Sequence, residues 1–183
     1  MPRERAAAKQ GLSRPEVAIV MSYAKIWLYD ELLDSDMPDD PWLEEDLVQY
    51  FPTPLRDKYL KDIRRHRLRR EIIATALANR FVNRMGFVHP FELSEEEGVG
   101  LADVTASFVV ADRLFRAGEL WAELETAAMP EDVRIYLFRH TAGALRSQMA
   151  DMIRVGASTT APSELIASLQ DRVNKLMTGS EEL

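Results

Sequence analysis

Apolar positions recur at three- and four-residue steps along nearly the whole chain, the spacing that gathers them on one side of an α-helix. Ser13 and Glu16 form an S-x-x-E box with Pro15 in the first turn, where a missing N–H costs nothing. Val17, Val20, Met21, Ala24, Trp27 and Leu28 then trace one stripe of a helix running to about Leu33. Pro38 and the Asp39-Asp40-Pro41 run break it, and Asp40 is placed to cap a short helix through Leu43, Leu47 and Val48, which Pro52 stops. Thr53-Pro54 restarts the pattern, with Leu55, Tyr59 and Ile63 expected on the buried side. The clearest helix covers residues 68–85, with Leu68, Ile72, Thr75, Ala76, Phe81 and Val82, and Gly86 follows as a left-handed terminator.

His89-Pro90 opens a short segment that Gly98 and Gly100 end, and Leu101, Val104, Phe108, Ala111, Leu114 and Phe115 describe an amphipathic helix. Leu120, Trp121 and Leu124 read as a shorter one. Pro130 starts a long helix through Val133, Leu137, Phe138, Leu145, Met149, Met152 and Ile153. Small residues at 156–161 separate it from a last helix with Leu165, Ile166, Leu169, Val173 and Leu176, followed by a polar tail. No segment alternates over strand length, and the one β-leaning stretch, residues 87–91, contains Pro90. The fold expected is all-α, a multi-helix bundle of about eight helices. It divides into an N-terminal lead-in at 1–12, the bundle at 13–155, and a C-terminal helix at 162–178, docked on the bundle or swapped onto a partner.

A chain of 183 residues suits one ordinary domain or two small ones and buries enough surface to need no staple. It has no cysteine, which excludes disulfides, thiolate metal sites and a cysteine nucleophile, and fits a reducing compartment. The formal net charge of −7 argues against a global pull toward nucleic acid or an anionic membrane. No apolar run approaches the roughly 20 residues that cross a bilayer. The first ten residues mix Arg3, Glu4, Arg5 and Lys9 with alanines and lack the apolar core of a secretory signal. The expectation is a cytoplasmic, soluble protein with no membrane and no nucleic-acid partner.

Candidate chemistry is sparse. Gly98-Val99-Gly100 is the only G-x-G, but Asp103 stands where a dinucleotide fingerprint needs its third glycine and no strand precedes it, so a helix break is the better reading. His66, His89 and His140 have no partner at i+3 or i+4, which gives zinc no ligand set. Ser107, Ser147 and Ser168 sit in helical patterns without a nucleophile elbow. Glu95-Glu96-Glu97 fan around a helix and read as a solvated run. Asn79 and Asn83, one turn apart, read as bridges to a neighbouring helix end or loop, with ligand contact as the alternative.

Charge patterning says more. Residues 30–46 carry nine acidic side chains and no basic one, whereas residues 56–70 carry eight basic ones (Arg56, Lys58, Lys61, Arg64, Arg65, Arg67, Arg69, Arg70) against Asp57 and Asp62. The basic block could contact phosphates. The preferred reading is that the two blocks face one another or form a subunit contact, since the predominance of arginine suits bidentate carboxylate pairing.

Several stretches, in order, resemble the last part of the large bacterial NAD-specific glutamate dehydrogenases. They are G-L-S-R-P-E-V-A at 11–18 with S-Y-A-K at 22–25, Tyr50-Phe51-Pro52, L-R-R-E-I-I-A-T at 68–75 and N-R-F-V-N-R-M-G at 79–86. Glu95-Glu96-Glu97-Gly98 ahead of Ala102-Asp103-Val104 also fits, and the resemblance covers residues 11–124 before weakening. Glu92 is a departure: it stands where a basic residue is expected. The resemblance implies a far longer parent enzyme that converts L-glutamate and NAD to 2-oxoglutarate, ammonia and NADH as a homo-oligomer. Its catalytic and NAD-binding residues would lie upstream, so no catalytic, cofactor-binding or metal residue is assigned here. The chain is then expected to be an inert C-terminal domain that stabilises the core, mediates subunit contact or relays regulation. The alternative is a free-standing helical interaction or regulatory module.

Overall fold

The box at the start of the chain closes as its spacing requires: Glu16 accepts the Ser13 backbone N–H at 2.8 Å and the Ser13 hydroxyl at 2.6 Å. From there α1 runs over Arg14–Leu33. The computed structural model describes residues 11–179 and contains nine α-helices and no strand among them. After α1 come α2 (Glu44–Tyr50), α3 (Thr53–Arg64), α4 (Arg69–Met85), α5 (His89–Glu97), α6 (Leu101–Leu114), α7 (Ala117–Thr126), α8 (Glu131–Met152) and α9 (Pro162–Gly179). The all-α expectation holds. The first ten residues of the lead-in, the tail from 180 and the Leu176 side chain lie outside what is described.

The bundle is organised around α6. Its residues 104–111 (V-T-A-S-F-V-V-A) carry no charge, and a helix apolar on all sides is stable only when covered on all sides. Accordingly α1, α5, α7, α8 and α9 all pack on it. This corrects the expectation of an amphipathic helix: every residue from Val104 to Ala111 is buried. Thr105 and Ser107 enter the core at little cost because their hydroxyls donate to the Leu101 and Val104 carbonyls of their own helix, at 2.8 and 2.7 Å. The Phe108 ring stacks on Phe81 of α4 with centroids 4.7 Å apart, and both are fully buried.

A second unit pairs α1 with α4 and flanks α4 with α2, which in turn packs on α3. The buried side of α4 is Ile73, Ala74, Leu77, Ala78, Phe81, Val82 and Met85. The stripe expected from Leu68, Ile72 and Thr75 is thus displaced by about one residue around the helix, and Leu68 is exposed. In α3 only Ile63 is buried, because Tyr59 leaves helical geometry (φ −123°, ψ 26°) and turns the preceding segment outward, exposing Leu55 and Tyr59. Trp27 of α1, Leu120 of α7 and Val133 of α8 are also exposed, contrary to expectation. Gly86 does end α4, but at φ 82° and ψ 171°, an extended positive-φ conformation open essentially to glycine alone rather than the left-handed helical one. Past α8 a single π-helical turn, Ile153–Ala157, and Gly156 at φ 125° redirect the chain so that α9 lies against α6.

Candidate functional site

The two charged blocks meet. Arg64 of α3 pairs with Glu44 of α2 at 2.8 Å, and Arg69 and Arg70 of α4 both reach Asp39, Arg69 at 3.1 Å. Arg70 also donates to the carbonyls of Leu33 and Ser35 at 2.9 and 2.8 Å, closing the C-terminal end of α1. The acidic segment is further engaged from outside the basic block, by Arg80 on Asp46 at 2.5 Å and Arg113 on Glu45 at 3.2 Å. Three of the eight basic side chains of the block, Arg64, Arg69 and Arg70, are thereby engaged in helix packing. Arg134 plays the part for α7 that Arg70 plays for α1, donating to the carbonyls of Leu124, Glu125 and Ala127.

Where α2, α4 and α6 meet, burial pushes Asp46 and Asp112 above the usual carboxylate range, while Arg80 and Arg113 pull both back. Desolvation wins at each site. Asp40, only 6% exposed, accepts the Trp42 N–H at 2.9 Å and the Ser163 N–H at 3.1 Å. It therefore caps both the turn at Pro41–Leu43 and the beginning of α9. The first role is visible in the sequence; the second joins residues 123 apart and is not.

The remaining candidates are placed as structural groups. The Gly100 N–H, which a dinucleotide would need, is taken by the Asp103 carboxylate at 3.1 Å, and an acid at that position repels a pyrophosphate. The turn joins two helices, so the glycines do not fit NAD. His66 Nδ1 accepts the Leu68 N–H at 3.2 Å and His140 stacks on Tyr136; His89, contrary to expectation, does have a partner at i+3, Glu92 at 3.5 Å. Among the described residues no three His, Asp or Glu side chains form a metal-binding group. Ser147 and Ser168, like Ser107, donate to carbonyls of their own helices. The glutamate run is not merely solvated, as expected: Glu96 and Glu97 cross to Arg146 and Arg154, each at 2.5 Å, and fix α5 on the α8 segment. Asn83 accepts from Lys25 of α1 at 2.9 Å, a bridge between helices; Asn79 lines a shallow cleft beside Lys25 and Tyr29.

What is left open are surfaces. On α1, Ile19, Tyr23, Ile26 and Trp27 are each more than half exposed. On α8, Val133, Ile135 and Tyr136 are exposed as well. No described helix is long and apolar enough to cross a membrane.

Residues 9–183 match the family described as glutamate dehydrogenase, C-terminal. The chain is similar to the NAD-specific glutamate dehydrogenase of Halomonas elongata, at 33% identity over 98% of this chain and 12% of that protein. It is similar to the Mycobacterium tuberculosis enzyme of that name, at 30% identity over 100% of this chain and 12% of the relative. The Pseudomonas aeruginosa enzyme matches at 35% identity over 86% of this chain and 9% of its own length. The chain thus spans about a tenth of the length of these curated relatives.

Proposed function

The chain belongs to the glutamate dehydrogenase C-terminal family, and we propose that it is the helical C-terminal domain of an NAD-specific glutamate dehydrogenase, inert by itself. In that role it stabilises the catalytic region, carries subunit contacts of a homo-oligomer, or relays regulation, in the cytoplasm. The reaction of the parent enzyme would be oxidation of L-glutamate by NAD to 2-oxoglutarate, ammonia and NADH, performed by polypeptide that this chain does not span. The observation carrying this reading is the family match over residues 9–183, a stretch that folds as a bundle tied together by helix caps and helix-to-helix ion pairs.

The isolated chain, supplied with L-glutamate and NAD, should produce no NADH absorbance at 340 nm above a heat-denatured control, whereas a polypeptide that also carries the upstream region should turn over. Turnover by the isolated chain would place the reacting groups among these helices and end the proposal.

A further inference from the structure

We infer that the outer face of α1 is the seat taken by the rest of the dehydrogenase polypeptide, which meets it with an apolar patch of its own bordered at one end by basic side chains. The inference rests on the functional reading above. At about 100° of rotation per residue, Ile19, Tyr23, Ile26 and Trp27 fall within roughly 100° of arc, centred opposite Ala24, Leu28 and Leu32. The latter three are buried against the bundle, whereas the former are 53–69% exposed. So α1 is apolar on two opposite sides but covered on one. α6 shows the covered case: it is apolar all round over residues 104–111, and five helices cover it. A stripe containing tyrosine and tryptophan at helical spacing has the composition of an interface centre. Trp27 is already held in place, with its ring 4.9 Å from Phe91 and its indole N–H donating to Glu31 at 3.2 Å.

Charge identifies the occupant's chemistry. The C-terminal end of α1 carries Asp30, Glu31 and Asp34, followed by Asp36, and its last turn holds no basic residue. None of these four carboxylates pairs with a cation among the described residues. Arg70 closes that helix end through the Leu33 and Ser35 carbonyls but pairs with Asp39 and with none of these four, so their mutual repulsion at the negative end of the helix is left for a partner's lysines or arginines to relieve. The relatives are roughly eight to eleven times longer than the stretch they share with this chain, which supplies a covering polypeptide in the same molecule. The exposed residues of α8 make a poorer seat, because Ile135 points well away from Val133 and Tyr136 around the helix.

Hydroxyl-radical footprinting compares the 183-residue chain alone with the full-length dehydrogenase polypeptide that carries it. Tyr23 and Trp27 should oxidise roughly five-fold more slowly in the long polypeptide, as their exposure falls toward that of an interface core. Tyr136 should react alike in both. Ile19→Asp with Ile26→Asp, at exposed positions, should leave the melting temperature of the short chain unchanged and restore rapid oxidation of Tyr23 in the long one. Asp30→Asn with Asp34→Asn should do so partially, as should added salt. Equal oxidation of Tyr23 in both polypeptides overturns the assignment while leaving the domain reading in place. So does protection of Tyr23 in the short chain with dimeric sedimentation, which would make the occupant a second copy. A gene with no dehydrogenase-coding region upstream removes both the partner and the functional reading.

Discussion

Arg70 is the arginine whose removal should be felt most, because it serves three acceptors from one planar guanidinium. One nitrogen faces the Asp39 carboxylate, and the other donates to the carbonyls of Leu33, the last residue of α1, and Ser35. The Leu33 carbonyl belongs to the group that every helix end leaves without partners, and the Ser35 carbonyl to the turn just beyond it. A buried hydrogen bond from a charged group contributes about 1.5–3 kcal/mol, and the 35% exposure of the Arg70 side chain brings each of these two toward about 1 kcal/mol. The pair with Asp39, whose side chain is 45% exposed, adds at most about 1 kcal/mol. Arg70→Ala should therefore cost about 2–3 kcal/mol. At about 2–4 °C per kcal/mol for a domain of this length, that lowers the melting temperature by about 5–10 °C. Asp39→Asn, which weakens the pairs with both Arg69 and Arg70 and spares the carbonyl bonds, should cost about 1 kcal/mol. Arg70→Lys keeps the charge but cannot span three acceptors with one ammonium, so it should recover less than half of the loss. Urea unfolding followed by tryptophan fluorescence measures all three, with the midpoint moving and the slope constant. Full recovery by lysine, or an alanine variant no weaker than Asp39→Asn, would show that Arg70 acts as a surface charge and that the capping argument is wrong.

Asp40→Ala removes the caps of two elements at once and should cost about 2 kcal/mol, with faster amide hydrogen exchange at Ser163 as its local signature. Asp112 gives a pH test. Because its folded-state affinity for a proton is raised by burial above the ordinary value of 3.8, its contribution to stability is complete below that pH and is lost as pH rises through the folded value. Asp112→Asn should therefore melt above the wild type near pH 7, and the difference should shrink as pH falls toward 4; a variant less stable at pH 7 would mean that the surrounding arginines outweigh desolvation.

The helices were legible because the apolar period is strong and the stops are chemical: Ser13 with Glu16, Pro52, Gly86, Gly98 and Pro130 all stand at helix boundaries. Which side of a helix faces inward was less legible. A period of 3.6 allows a stripe to be read one residue off, as it was on α4, and a local backbone break such as Tyr59 has no signature in composition. The pairing of the charged blocks could be foreseen from their opposite sign and nearness in sequence. The reach of Arg80, Arg113 and Asp40 across 34, 68 and 123 residues could not, since it depends on where whole helices come to rest.

The open face of α1 shows why periodicity alone undersells a surface. Reading Val17, Val20, Met21, Ala24, Trp27 and Leu28 as one stripe accounts for the helix, and it leaves Ile19, Tyr23 and Ile26 as scattered apolar residues of the kind any protein surface carries. Only once Ala24, Leu28 and Leu32 are seen buried does the leftover set resolve into a second stripe on the opposite side, with Trp27 belonging to it. Apolar residues on more than one side of a helix thus have two outcomes in one chain. On α6 neighbouring helices within these 183 residues cover them. On α1 the described residues do not, and the open side borders four carboxylates that pair with no cation among them, Arg70 at that helix end being taken by Asp39 and two carbonyls. Two independent shortfalls at one place, one apolar and one electrostatic, are what distinguish a seat for more polypeptide from an ordinary exposed helix.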